Sequence, residues 1–132
     1  MFLIIITFVS SKKNTTVKPL NKRFDVSQAT LLKQGNFNGG VPPVSGCVGL
    51  YESGHDKVVY FENFETDKEP DLRVCLSTST CPSDIKDLGA LKSNEGNFFY
   101  GLDSSNTNKY THVLIWCREH TVLFGNSKLT LT

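Results

Sequence analysis

The sequence predicts an all-β fold: a single antiparallel β-sandwich or barrel-like domain. Three observations carry the prediction. From Leu31 onward the chain breaks into short apolar runs separated by turn residues, roughly seven to nine of them at the spacing of sandwich strands. Nine phenylalanines stand against one methionine, a balance that favours pleated packing. No window offers an amphipathic helix with caps, and the best candidate, residues 84–92, is interrupted by Gly89.

The elements follow in order. Residues 2–9 form a run of eight that is apolar except for Thr7. A bilayer needs about 20, so no transmembrane span is expected, whereas about 7–15 suits the apolar region of a signal peptide. Ser10-Ser11 supplies small residues for cleavage, although only Met1 precedes the run and the usual positive charge is missing. An extracytoplasmic protein is expected, whether secreted, periplasmic or at the cell surface. The alternatives are an interior strand or a start codon placed too late. Ser11 stands where a lipoprotein would have its lipidated cysteine, so no lipid anchor is expected. The organisation read is 1–11 signal-like segment, 12–30 polar linker with Pro19, and 31–132 β domain. About 100 residues suffice for one core without a metal or disulfide staple.

Within the domain, residues 44–52 alternate loosely, and Gly46 and Gly49 inside the run mark bulges or close backbone approach. Ser53-Gly54-His55-Asp56 is a turn and 57–62 a second strand, giving a hairpin. Leu72, Val74 and Leu76 alternate with Arg73, Cys75 and Ser77, the period of a half-buried strand, which puts Cys75 on the solvent side. Residues 77–84, with Pro82, form a loop. A short apolar patch follows at 88–91, then strands at 97–102, 110–117, 121–125 and 128–131.

A net charge of +1, from 14 basic and 13 acidic residues, excludes the electrostatic footprint of a nucleic-acid binder. No catalytic triad, nucleophile elbow or phosphate-cradling glycine loop is present. The acidic loop with Glu62, Glu65, Asp67, Glu69 and Asp71 fits no calcium-loop spacing and reads as solvated. Cys117, counted by twos, shares a strand face with Val113 and Ile115, while Trp116 points the other way. It is a packed core thiol, a redox or ligand thiol, or half of a disulfide; a desolvated thiol is a poor nucleophile. Four cysteines in an exported chain invite disulfides, and Cys75–Cys81 is the favoured bridge, with Cys47–Cys75 across a sheet as the alternative. Cys117 and His120 are three apart, so joint metal ligation needs a turn at Arg118-Glu119; no Cys-x-x-Cys or heme-attachment motif occurs, and no metal is expected.

Several segments stand in the order of a known family. They include Gly35-Asn36-Phe37, Ser45-Gly46, Tyr60-Phe61-Glu62-Asn63-Phe64, Pro70-Asp71-Leu72-Arg73-Val74, Asp87-Leu88-Gly89-Ala90-Leu91, Gly96-Asn97-Phe98-Phe99-Tyr100 and Val113-Leu114-Ile115-Trp116-Cys117. Over roughly 31–131 the chain resembles the DM-thirteen domain, a small extracytoplasmic domain often found beside DOMON domains and regarded as an electron-transfer component. The resemblance implies that Cys117 is the signature cysteine, acting as a bare thiol or as a ligand to a prosthetic group such as heme; in a redox module built on it, Trp116 and Phe124 are the nearest candidates to shape its pocket. Two departures weaken a ligand role: Val41 stands where the family usually has histidine, and Glu69-Pro70-Asp71-Leu72 replaces Gly-Pro-Asp-Leu. His120 also replaces a more usual aromatic, and Cys75 a more usual tyrosine. The implied function is a redox module centred on Cys117, with an unidentified redox or surface protein as partner. The alternative is a non-catalytic cell-surface binding domain in which Cys117 only fills the core.

Overall fold

The computed structural model describes residues 24–38, 43–81, 84–102 and 107–132. The apolar run 2–9, linker residues 12–23, the stretch around Val41, Pro82 and part of the loop before Thr107 lie outside the described residues. Within them a short 3-10 turn, Val26–Gln28, capped by the Asp25 side chain, leads into nine strands. These are β1 (Thr30–Asn36), β2 (Ser45–Ser53), β3 (Asp56–Glu65), β4 (Leu72–Ser77), β5 (Ile85–Ala90), β6 (Glu95–Leu102), β7 (His112–Cys117), β8 (Val122–Lys128) and β9 (Thr130–Leu131). They form a five-stranded sheet in the order β6-β3-β2-β1-β9 and a four-stranded sheet in the order β5-β4-β7-β8. Every pairing is antiparallel, so the fold is the all-β sandwich that the sequence predicts.

The predicted hairpin is β2–β3, turning at Gly54-His55. Two strands go beyond the reading from sequence. β1 starts at Thr30 and has no clean alternation. β5 occupies the window that came nearest to a helix; Gly89, at φ 107, sits at its register shift against β4. A strand absorbs such a residue as a bulge, whereas a helix would lose its ladder.

The core lies between the sheets. Val48, Leu50, Val59, Phe61, Phe64, Tyr100 and Leu102 from the first sheet meet Val74, Leu76, Val113 and Ile115 from the second. Phe61 is its aromatic centre, stacked on Phe98 at 4.7 Å between centroids and edge-on to Phe64 at 5.4 Å. Simple alternation would send Phe61 and Phe64 to opposite faces. A bulge brings both inside: Asn63 takes a left-handed φ of 53 and its N–H donates to the Asn97 side chain at 2.8 Å. On the facing strand Gly46, at φ 105, makes the matching register shift. A Cβ there would stand 2.5 Å from the Asn63 carbonyl oxygen, so the position has room only for glycine. Gly35 serves a second close approach: a Cβ on it would meet the Lys128 carbonyl oxygen at 2.3 Å, where β1 and β8 of opposite sheets come together.

The outer face of the first sheet carries its own aromatic cluster. Phe24 lies against Tyr51, Tyr60 and Phe99 at 5.4–5.6 Å, and Val58 on the same face is fully buried.

Candidate functional site

Cys117 is the last residue of β7, opposite Leu72 of β4 and Val122 of β8. It is 1% exposed, and its thiol donates a hydrogen bond to the Pro70 carbonyl oxygen at 3.3 Å. Two turns close over this end of the sheet. One is Pro70-Asp71, entering β4, with Asp71 at φ 56; the other is 118–121, joining β7 to β8, with Thr121 at φ 54. The turns are tied together. The Arg118 backbone N–H donates to the Asp71 carbonyl at 3.1 Å, and its guanidinium donates to both Asp71 carboxylate oxygens, at 2.9 and 3.2 Å.

Trp116 is on the opposite face, across from Arg73 and Leu123. The expectation that it shapes a pocket at Cys117 is therefore corrected: alternation in β7 turns it away, and Phe124 packs against the main core instead. The Trp116 indole Nε1 is buried and has no hydrogen-bond partner. Leu123 and Val122, on the edge strand beside it, are among the exposed large apolar side chains.

Cys75 corrects a second expectation. It does face away from the main core, but it is 0% exposed rather than on the solvent side. β4 is an inner strand, and Leu114 lies opposite Cys75 on one flank and Asp87 on the other. Asp87 forms a two-pronged ion pair with Arg73, from the same face of β4. Burial first, and then the Asp87 carboxylate, push the Cys75 thiol up from 9.0 to about 12. The Arg73 fork in turn holds the Asp87 carboxyl below its ordinary value. The Cys75–Cys81 bridge is not formed: all four cysteines are free thiols, and Cys81 is exposed in the loop after β4. There the Cys81 carbonyl accepts from the Ser77 and Ser79 hydroxyls at 3.4 and 3.1 Å. Cys47 is in the other sheet from Cys75, which removes the cross-sheet pairing of these two.

The sequence reading weighed Cys47 only as a disulfide partner of Cys75. It is partly exposed, opposite Glu62 in the register, with its thiol 3.9 Å from that carboxylate. Concavities of about 320 and 260 Å³ flank it, lined by Asn36, Ser45, Glu62 and Asn63 on one side and by Gln34, Gly35 and Thr130 on the other. Partial burial and then Glu62 raise its pKa, which lowers its nucleophilicity at neutral pH. The carboxylate only a strand partner away was legible once Cys47 and Glu62 were aligned in the hairpin.

The turn that joint ligation by Cys117 and His120 would require is present, but His120 is exposed while Cys117 is sealed. Among the described residues no group of three or more His, Cys, Asp or Glu converges to hold a metal ion. Of the acidic loop, Asp71 is committed to Arg118. Heme ligation requires an open face on the sulfur. At Cys117 the closed turns and the Pro70 contact leave none, so the residues present do not fit a heme there.

A buried thiol on a β-sandwich, sealed by two turns, defines a small all-β domain with one protected sulfur at the end of its second sheet. Comparison with protein-family models matches the family described as electron transfer DM13, over residues 36–129. The chain belongs to the DM13 electron-transfer family. Comparison with curated proteins found no match, and comparison with solved structures found none.

Proposed function

We propose that this protein is an extracytoplasmic electron-transfer module whose redox centre is the Cys117 thiol. The observation that carries the reading is the enclosure of Cys117. Its sulfur meets the Pro70 carbonyl, and the Asp71 and Arg118 side chains close the turns around it. The Pro70-Asp71-Leu72 segment and the Trp116-Cys117 segment, two of the stretches that carry the family resemblance, thus build one place. Family membership supplies the reaction class. The signal-like run 2–9 supports the location, and among the described residues no helix is long and apolar enough to cross a membrane.

The step is thiol–disulfide exchange with a partner that carries a disulfide. The Cys117 S–H bond and the partner S–S bond break. A bond forms between the Cys117 sulfur and one partner sulfur, and the other partner sulfur leaves with the proton as a thiol. The Cys117 sulfur passes from the thiol to the disulfide level, the attacked sulfur stays at the disulfide level, the departing sulfur passes from the disulfide to the thiol level, and attack by that thiol on the new disulfide reverses the step.

The full chain is equilibrated across a series of thiol/disulfide potentials, alkylated without reduction, and mapped by mass. The expected result is a reversible change at Cys117 that disappears in Cys117→Ser, while the fold persists. Retention of redox activity in Cys117→Ser overturns the assignment.

The near-complete burial of Cys117 favours one second reading, a surface binding domain in which the thiol only fills space. In that case Cys117 stays reduced at every potential, and Cys117→Ala leaves partner binding unchanged.

A further inference from the structure

The geometry points to a latch: the Asp71–Arg118 ion pair holds shut the two turns that cover Cys117, and its opening exposes the thiol to a reaction partner without unfolding the sheet. The inference gives the redox reading its access step and rests on that reading for its purpose; the geometry stands independently.

A thiol that is 1% exposed cannot be attacked or attack in the closed form. What covers it is shallow. Glu69 and Pro70 on one turn, and Arg118, Glu119, His120 and Thr121 on the other, are exposed, so little apolar burial holds either turn down. Each turn also contains a non-glycine residue in the left-handed region, Asp71 at φ 56 and Thr121 at φ 54. Aspartate tolerates that conformation; a β-branched threonine is strained in it.

Against this strain stand the contacts between the turns, the Arg118 N–H on the Asp71 carbonyl and the two-pronged guanidinium–carboxylate pair. Paired charged hydrogen bonds are directional and strong for their size. These side chains are 56% and 28% exposed, however, so the pair holds the turns only weakly and is open to salt. A strained, shallow cover with one polar clasp opens locally. Arg118 and Asp71 are positioning residues; the reacting sulfur is that of Cys117.

Cys75 provides the internal control. It is equally buried, but it lies in the middle of an inner strand, between Asp87 and Leu114, so exposing it requires separation of strands.

The test is timed alkylation of the native full chain with N-ethylmaleimide at neutral pH, read peptide by peptide. Arg118→Gln and Asp71→Asn, the second retaining a residue type that accepts a left-handed φ, are each expected to speed Cys117 labelling about fivefold while Cys75 is unchanged. Salt at about 1 M should do the same to the unmodified protein, which keeps the test independent of variant folding. Unchanged labelling of Cys117, or a rise in step with Cys75, overturns the latch. If Cys117 labelling responds selectively but the residue never changes state in the potential series, the latch stands and the redox reading falls.

Discussion

Tyr100 ties the two sheets together by donating its hydroxyl proton to the Ala90 carbonyl at 2.8 Å. The same oxygen accepts the Lys92 backbone N–H, also at 2.8 Å. Tyr100 belongs to β6 of the first sheet and Ala90 to the end of β5 in the second. One buried phenol thus satisfies two backbone groups where the chain crosses between layers. The Lys92 ammonium lies 4.8 Å from the ring centre and donates to the Phe99 carbonyl, which fixes the crossover further.

Tyr100→Phe keeps the ring and orphans both backbone groups. The expected cost is about 1–3 kcal/mol, since a polar group left without a partner loses more than the net worth of its bond. Urea unfolding of the two proteins measures it. An unchanged midpoint and slope would mean that water replaces the hydroxyl at no cost.

Alkaline pH should weaken the fold through two groups. The Cys75 thiol is pushed from 9.0, and the Tyr100 phenol from 10.0, to about 12, each mainly by burial. Above the ordinary value the unfolded chain loses the proton while the folded chain keeps it, so stability falls as pH rises through that window. The contribution is fully present below pH 9 for Cys75, below pH 10 for Tyr100, and lost towards pH 12. The slope for each is at most about 1.4 kcal/mol per pH unit. Urea midpoints measured from pH 8 to 11 should decline in the unmodified protein and decline less steeply in Cys75→Ala. Parallel declines would remove Cys75 as a cause.

The strands were legible wherever turn chemistry bounded an alternating run. Ser53-Gly54-His55-Asp56 announced the β2–β3 hairpin, and Leu72, Val74 and Leu76 marked the inner face of β4. The failures came from what alternation does not carry. It distinguishes the two faces of β4 but not whether the second face is covered, so Cys75 was assigned to solvent. It also assumes an unbroken period, so nothing in Phe61-Glu62-Asn63-Phe64 alone shows both phenylalanines entering one core. The site was legible only at its sulfur. Cys117 and Pro70 are 47 residues apart, and their contact depends on β4 pairing with β7, a non-local fact that no single segment holds.

The β2–β3 bulge predicts a sharp intolerance at Gly46. An alanine there would keep φ near 105 and thrust its Cβ to 2.5 Å from the Asn63 carbonyl oxygen and 2.7 Å from the Phe64 Cα. Both are backbone atoms and cannot swing aside. Gly46→Ala is expected to lose about 3 kcal/mol or more, combining left-handed strain with a displaced strand. Thermal unfolding checks it, and a loss below about 1 kcal/mol would show that the bulge can shift its register cheaply.

Among the described residues, Phe24 is the first in the chain to engage the sheets, at a position read from sequence as linker. Its ring meets Tyr51, Tyr60 and Phe99 on the outer face of the first sheet, away from the core around Phe61. Phe24→Ala should therefore cost only about 1–2 kcal/mol, in ring contacts and half-buried area. Its main effect should be local. Hydrogen exchange is expected to quicken over residues 24–30 and around Tyr51 and Tyr60, while β4 and β7 keep their protection. Loss of protection in β4 and β7 as well would make Phe24 part of the cooperative core, and would place the start of the folding unit before Thr30.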